Sequence, residues 1–152
     1  MRLKPVYLLA IAALVLAGGI LLVRGSDGNT GPEITVYKSP TCGCCAKWVT
    51  HLEENGFDVK PVDVSNVNEM KIRYGVPGDL GSCHTALIDG YVVEGHVPAD
   101  VIMRMIEERP EVVGIAVPGM PVGSPGMEGP NPEEYDILAF QKDGKRSVYA
   151  SR

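Results

Sequence analysis

Positive charge is in short supply. The 152 residues hold 14 Lys and Arg against 19 Asp and Glu, a formal net charge of −5. Three of the basic residues, Arg2, Lys4 and Arg24, belong to the amino-terminal segment, so the rest of the chain is more acidic still. No Lys/Arg run survives there, which makes nucleic acid and anionic membrane surfaces poor candidate partners. There is no glycine-rich phosphate loop and no internal repeat, which removes nucleotide cradles and solenoids from consideration. Cysteine is scarce as well, four in all. Four thiols are too few to staple a domain of this size, yet three fall within Cys42-Gly43-Cys44-Cys45 and the fourth lies in Ser82-Cys83-His84-Thr85. Such concentration points to soft-metal binding or thiol redox chemistry.

Only one long apolar run exists. Val6 to Val23 is uncharged and rich in Leu, Ala, Ile and Val, with Arg2 and Lys4 before it and Arg24 after. It is long for a signal-peptide core and just long enough to span a bilayer. Val15-Leu16-Ala17 offers a cleavage signal, with no cysteine behind it for lipidation. Residues 1–25 therefore read as a signal peptide or amino-terminal membrane anchor, with retention of the anchor preferred. Leading positive charge keeps that end in the cytoplasm, so the remainder is expected in the periplasm or another extracytoplasmic space. If uncleaved, residues 6–23 tie the protein to the inner membrane. Residues 26–32 form a Gly, Ser, Asn, Asp and Pro tether, and residues 33–152 are enough for one compact domain.

Within that domain, Ile34 to Tyr37 reads as a strand stopped at Ser39-Pro40. A helix is predicted from about Cys44 to Asn55, because Cys45, Trp48, Val49 and Leu52 fall on one stripe and Asn55-Gly56 ends it. Phe57 to Val64 reads as a second strand. A short helix from Asn66 to Tyr74 is expected to bury Val67, Met70 and Tyr74. Asp89-Gly90 joins two strands, His84 to Ile88 and Tyr91 to Glu94, as a hairpin. Pro98 opens a helix through Glu108 with Val101, Ile102, Met105 and Ile106 inward. Pro118 to Pro132 carries too much proline and glycine for regular structure. Tyr135 to Phe140 and Ser147 to Ala150 form a last pair of strands about Lys142-Asp143-Gly144-Lys145. A parallel βαβ unit, a trailing hairpin and a cysteine pair at the first strand-to-helix junction predict an α/β, thioredoxin-like sandwich with a Pro/Gly/Met-rich loop and a carboxy-terminal β extension.

Thiols at a helix start feel unpaired N–H groups and the positive end of the dipole, which favour thiolate. Both metal binding and disulfide exchange need thiolate. Cys42 and Cys45 have redox-dithiol spacing, so a thiol-disulfide oxidoreductase is one reading. A third sulfur inside the loop, and Cys83 where thioredoxin-like oxidoreductases carry a proline, favour metal. Helix neighbours point about 100° apart, so Cys44 and Cys45 suit bridging of adjacent ions better than gripping one. With Cys83 close, four sulfurs can hold polynuclear Cu(I); zinc is a minor alternative, because only one knuckle is present. His84 and His96 are candidate additional ligands, although strand alternation turns His84 away from Cys83. His51 is expected to be solvated. Met70 and Met105 read as core and Met103 as surface. Met120 and Met127 sit in the Pro/Gly loop with no apolar repeat and are candidate Cu(I) thioether ligands or a cover over the cysteines.

Together, Ser39-Pro40-Thr41-Cys42-Gly43-Cys44-Cys45, Gly75-Val76-Pro77, Ser82-Cys83-His84-Thr85-Ala86, Glu94-Gly95-His96-Val97-Pro98 and Pro118-Gly119-Met120-Pro121 through Glu128 resemble the periplasmic CopG-type family of copper-resistance proteins. The resemblance covers nearly everything after the tether. It implies a cysteine-bridged copper cluster on Cys42, Cys44, Cys45 and Cys83, and a role in copper handling or Cu(I)/Cu(II) redox. Copper ions, and other copper-handling periplasmic proteins, would be the partners.

Overall fold

The computed structural model describes residues 31–152; the predicted leader and most of the tether lie outside them. Among the described residues no helix is long and apolar enough to cross a membrane. The elements in chain order are β1 (Glu33–Lys38), α1 (Gly43–Glu54), β2 (Asp58–Asp63), α2 (Val67–Arg73), a 3-10 turn (Gly78–Leu80), β3 (His84–Ile88), β4 (Tyr91–Glu94), α3 (Ala99–Glu108), β5 (Gly114–Ala116), β6 (Asp136–Phe140) and β7 (Arg146–Ser151). The seven strands form one sheet in the order β2-β1-β3-β4-β5-β6-β7.

The expected βαβ unit is present, with β1 and β2 parallel and Ile34 opposite Val59. The expected hairpin is present too. β3 and β4 run antiparallel, and Asp89 and Gly90 take φ of 50° and 87°, the double left-handed geometry such a two-residue turn requires. A three-residue strand went unread in the sequence. Gly114-Ile115-Ala116 pairs parallel with β4 and antiparallel with β6, and it joins the carboxy-terminal hairpin to the sheet. Gly114 is needed there because a Cβ would fall 2.0 Å from the Val92 carbonyl oxygen.

Strand alternation divides the core in two. Ile34, Val36, Ala86, Val93, Ile115 and Ala139 share one face with the inward stripes of α1 (Trp48, Val49, Leu52) and α3 (Val101, Ile102, Met105). The other face carries Val76, Leu80, Val92, Ala116 and Phe140. α2 packs on this second face and buries none of its residues fully, so Val67, Met70 and Tyr74 are half-buried rather than core. At seven residues its stripe is too short, and burial passes to Val76 and Leu80 just beyond it. Met103 also departs from expectation, since it packs partly against the main core.

Candidate metal centre

The site lies where α1 begins. Cys42 is the residue before the helix, extended at φ −76° and ψ 95°, and its sulfur accepts from the Cys45 N–H. The turn Cys42 N–H to Ser39 oxygen, 3.1 Å, sets this entry angle. Cys45 sits on the buried stripe, while Cys44 is half-exposed on the next side of the helix. Cys42 and Cys45 are joined as a disulfide, with Cα atoms 5.3 Å apart, and Cys44 and Cys83 are free.

Cys83 arrives from the segment before β3. Its sulfur is 4.0 Å from that of Cys44, which in turn is 3.6 Å from that of Cys42. All four sulfurs lie within 4.8 Å of one another. Burial raises the Cys83 thiol to about 12, and the adjacent Cys44 adds to it. The fourth sulfur is therefore a thiol at neutral pH, and a cation must displace its proton to bind.

His96 comes from the turn before α3. Its Nδ1 is 2.7 Å from the Pro125 carbonyl oxygen, which only accepts, so Nδ1 carries the proton. The Nε2 lone pair faces Cys83 Sγ at 2.9 Å, and with both groups neutral the thiol donates to it. Burial lowers the His96 pKa. This is how an outer hydrogen bond fixes tautomer and aim in a metal-ligating histidine.

His84 differs from its expected direction. Cys83 precedes β3, so strand alternation does not govern the pair, and His84 Nδ1 lies 3.3 Å from Cys83 Sγ. The ring is fully buried, 4.3 Å from the Trp48 ring and 5.0 Å from that of His96. Burial first, then His96 and Lys71, push its pKa well below the ordinary value. Its Nε2 makes no hydrogen bond of ordinary geometry, though the Gly95 backbone interacts with the ring and opposes part of the downward shift. Cys83, His84 and His96 thus form a second donor group sharing one sulfur with the first. The donor chemistry, thiol sulfur with neutral imidazole, fits a soft or borderline cation.

The Pro/Gly loop covers this site closely. Gly126, at φ +84°, would place a Cβ 2.8 Å from the Cys44 oxygen, 2.9 Å from the Trp48 nitrogen and 3.3 Å from His96 Nδ1. Met127 lines an open cavity of about 630 Å³ with Gly43, Cys44, Lys47, Val122 and Glu128, so Cys44 and Met127 share one solvent-open wall. Met120 is not among the residues lining that cavity and is 37% exposed. His51 is half-buried, and its Nε2 accepts the Ala99 N–H at 3.2 Å; it caps α3 and is not solvated as expected. A larger groove of about 790 Å³ opens beside Thr35, Tyr74, Leu87 and Val92; without a thiol or imidazole in its wall it offers no comparable chemistry. Sequence reading missed Glu128, whose carboxylate accepts the Gly126 N–H at 2.6 Å. It also missed the buried group of Lys71, Thr85 and Glu94. Two polar residues at inward positions of the hairpin were the available signal for that group.

An α/β protein with four sulfurs and two imidazoles gathered at a helix start has a donor set able to hold a metal ion. The family described as a protein of unknown function, DUF411, matches residues 80–127. Two solved structures, described as copper resistance protein CopG, form 1 and form 2, are each 47% identical to the chain. Both have a TM-score of 0.76 and cover 80% of this chain and 98% of that one. The chain belongs to the CopG family. No curated protein matches it.

Proposed function

We propose that this chain binds copper as Cu(I) on Cys42, Cys44, Cys45 and Cys83, in copper resistance, on the outer side of the cytoplasmic membrane. The observation that carries the reading is the mutual proximity of four sulfurs drawn from two distant segments. Thiolates select Cu(I) over harder cations. Because Cys44 and Cys45 are helix neighbours, they suit bridging of several ions, and the set of four favours a cysteine-bridged cluster. The Cys42–Cys45 disulfide must first be opened by an external dithiol reductant, which gives two electrons and is itself oxidised to a disulfide, leaving two thiolates for the metal. His96 and His84 complete the shell from the buried side, and Met127 stands at the solvent side. Met120 belongs to the same loop and would join only through a rearrangement. The leader places the domain outside the cytoplasm, anchored by residues 6–23 if uncleaved, where other copper-handling proteins are the partners.

The test is anaerobic loading of the reduced protein with Cu(I), then metal analysis and X-ray absorption. More than one copper per chain, sulfur-dominated ligation and a short metal–metal distance are the expected results, with stoichiometry falling in Cys83→Ser. Retention of no copper, or a stoichiometry indifferent to that change, overturns the reading. The Cys42–Cys45 disulfide supports a second reading, a thiol-disulfide oxidoreductase with Cys42 attacking and Cys45 resolving. Insulin reduction lost in Cys42→Ser and indifferent to Cys83→Ser would put it first.

A further inference from the structure

We infer that Glu94, held by Lys71, is a positioning residue that sets Cys83 and His84 in the metal site from the opposite face of the sheet. The inference rests on the copper reading above for its consequence and on geometry for its substance. Glu94 ends β4 and is fully buried, an unusual place for a carboxylate. One oxygen accepts the Ser82 N–H at 2.5 Å. The other accepts the Thr85 hydroxyl at 2.7 Å. Those residues flank Cys83 and His84, so a single carboxylate grips both ends of the two-residue segment that brings sulfur and imidazole to the site. Lys71 reaches over from α2 and donates both to Glu94, at 2.5 Å, and to the Thr85 hydroxyl, at 3.2 Å. Gly95 completes the seat, for a Cβ there would fall 2.7 Å from the Ser82 side chain.

The segment needs such a grip. Ser82, Cys83 and His84 include no proline to fix φ, and Cys83 must meet sulfurs anchored on a different element. A buried ion pair is a poor way to gain stability, since apolar replacements of similar volume often do as well or better. Its use here is geometrical: charge-assisted hydrogen bonds hold direction more tightly than apolar packing.

The test separates position from stability, and position from copper. In Lys71→Met/Glu94→Leu both charges leave together, so no buried charge is left unpaired, and the melting temperature should drop only by the cost of the acceptor lost to the Ser82 N–H and the Thr85 hydroxyl. Amide hydrogen exchange of residues 82–85 in the metal-free protein should quicken by tenfold or more. Cu(I) affinity, measured against a competing chelator, should fall by tenfold or more with an altered thiolate-to-copper absorption band. Glu94→Gln keeps an acceptor for Ser82 and a partner for Thr85 but removes the counter-charge of Lys71, so both measures should change less than in the double variant without returning to the wild-type values. Thr85→Val, which removes the hydroxyl's bonds to Glu94 and Lys71 at constant shape and leaves the Ser82–Glu94 bond, should give an intermediate effect and serves if the double variant does not fold. Unchanged exchange in the double variant or in Thr85→Val overturns the inference whether or not copper binds. Faster exchange with unchanged affinity overturns the link between the clamp and the metal site. A wild-type protein that binds no copper ends the reading above, while exchange still reports on the clamp.

Discussion

At the scale of single residues, the site is a set of neutral donors. His84 and His96 are kept unprotonated by burial, and Cys83 is kept protonated for the same reason. The consequence for stability has a definite sign. In the unfolded chain each histidine takes up a proton below about pH 6.5, whereas His84 in the fold does so only at much lower pH. Below 6.5 the unfolded state therefore binds more protons, and stability falls with falling pH. The slope reaches about 1.4 kcal/mol per pH unit for His84 alone. Urea midpoints between pH 7 and 5 should show this decline, and His84→Phe should flatten it. Much of this residue-level picture was legible in the chain. Three clustered cysteines plus Cys83 marked the thiols that the fold brings together, and the His96 turn marked an imidazole beside them. The direction of His84 was not legible, because Cys83 lies just before β3, where strand alternation no longer fixes which way a side chain points.

At the scale of elements, the start of α1 and the Pro118–Pro132 loop work as a pair. The stripe of Cys45, Trp48, Val49 and Leu52 marked the helix and its buried face in the sequence, and all four are buried. The hairpin turn at Asp89-Gly90 was equally plain. β5 escaped notice because three residues, one a glycine, carry no period. The sequence marked the loop as irregular and its methionines as ligands or a cover over the cysteines; it did not show that the loop is tied down by turns such as Met127 N–H to the Ser124 oxygen, 2.8 Å, and by the His96 bond to Pro125. Gly126 is where it touches α1, in a positive-φ conformation with no space for a side chain. Gly126→Val should then cost about 2 kcal/mol or more through strain and overpacking. It should also lift the loop from His96, freeing the Nδ1 proton. A lowered denaturation midpoint together with a shifted His96 ring resonance checks this; an unchanged ring environment would show that the loop does not hold the imidazole.

At the scale of the molecule, the donors come from three places far apart in the chain: the Cys42–Cys45 turn, the Cys83-His84 segment and the His96 turn. The sheet brings them together, with β1 leading to the first and pairing with β3, which carries the second, while β4 leads to the third. The carboxy-terminal strands extend the sheet away from the site and brace α3, where Arg104 donates to the Tyr149 oxygen at 2.7 Å and stacks on its ring at 4.3 Å. A cation held at once by these three segments ties together parts that unfolding separates, so binding favours the native state, although the Cys42–Cys45 cluster keeps some affinity in the unfolded chain. At a free Cu(I) concentration about a hundredfold above the dissociation constant, the native state gains about 2.7 kcal/mol. For a domain of this length that is a rise in melting temperature on the order of 10 °C. Reduced protein should show the rise and Cys83→Ser most of its loss. Protein with the Cys42–Cys45 disulfide closed should also show little of it, because two of four sulfurs are then withheld. Calorimetry of the three forms with and without Cu(I) decides the matter: equal shifts in oxidised and reduced protein would mean that Cys42 and Cys45 are not ligands.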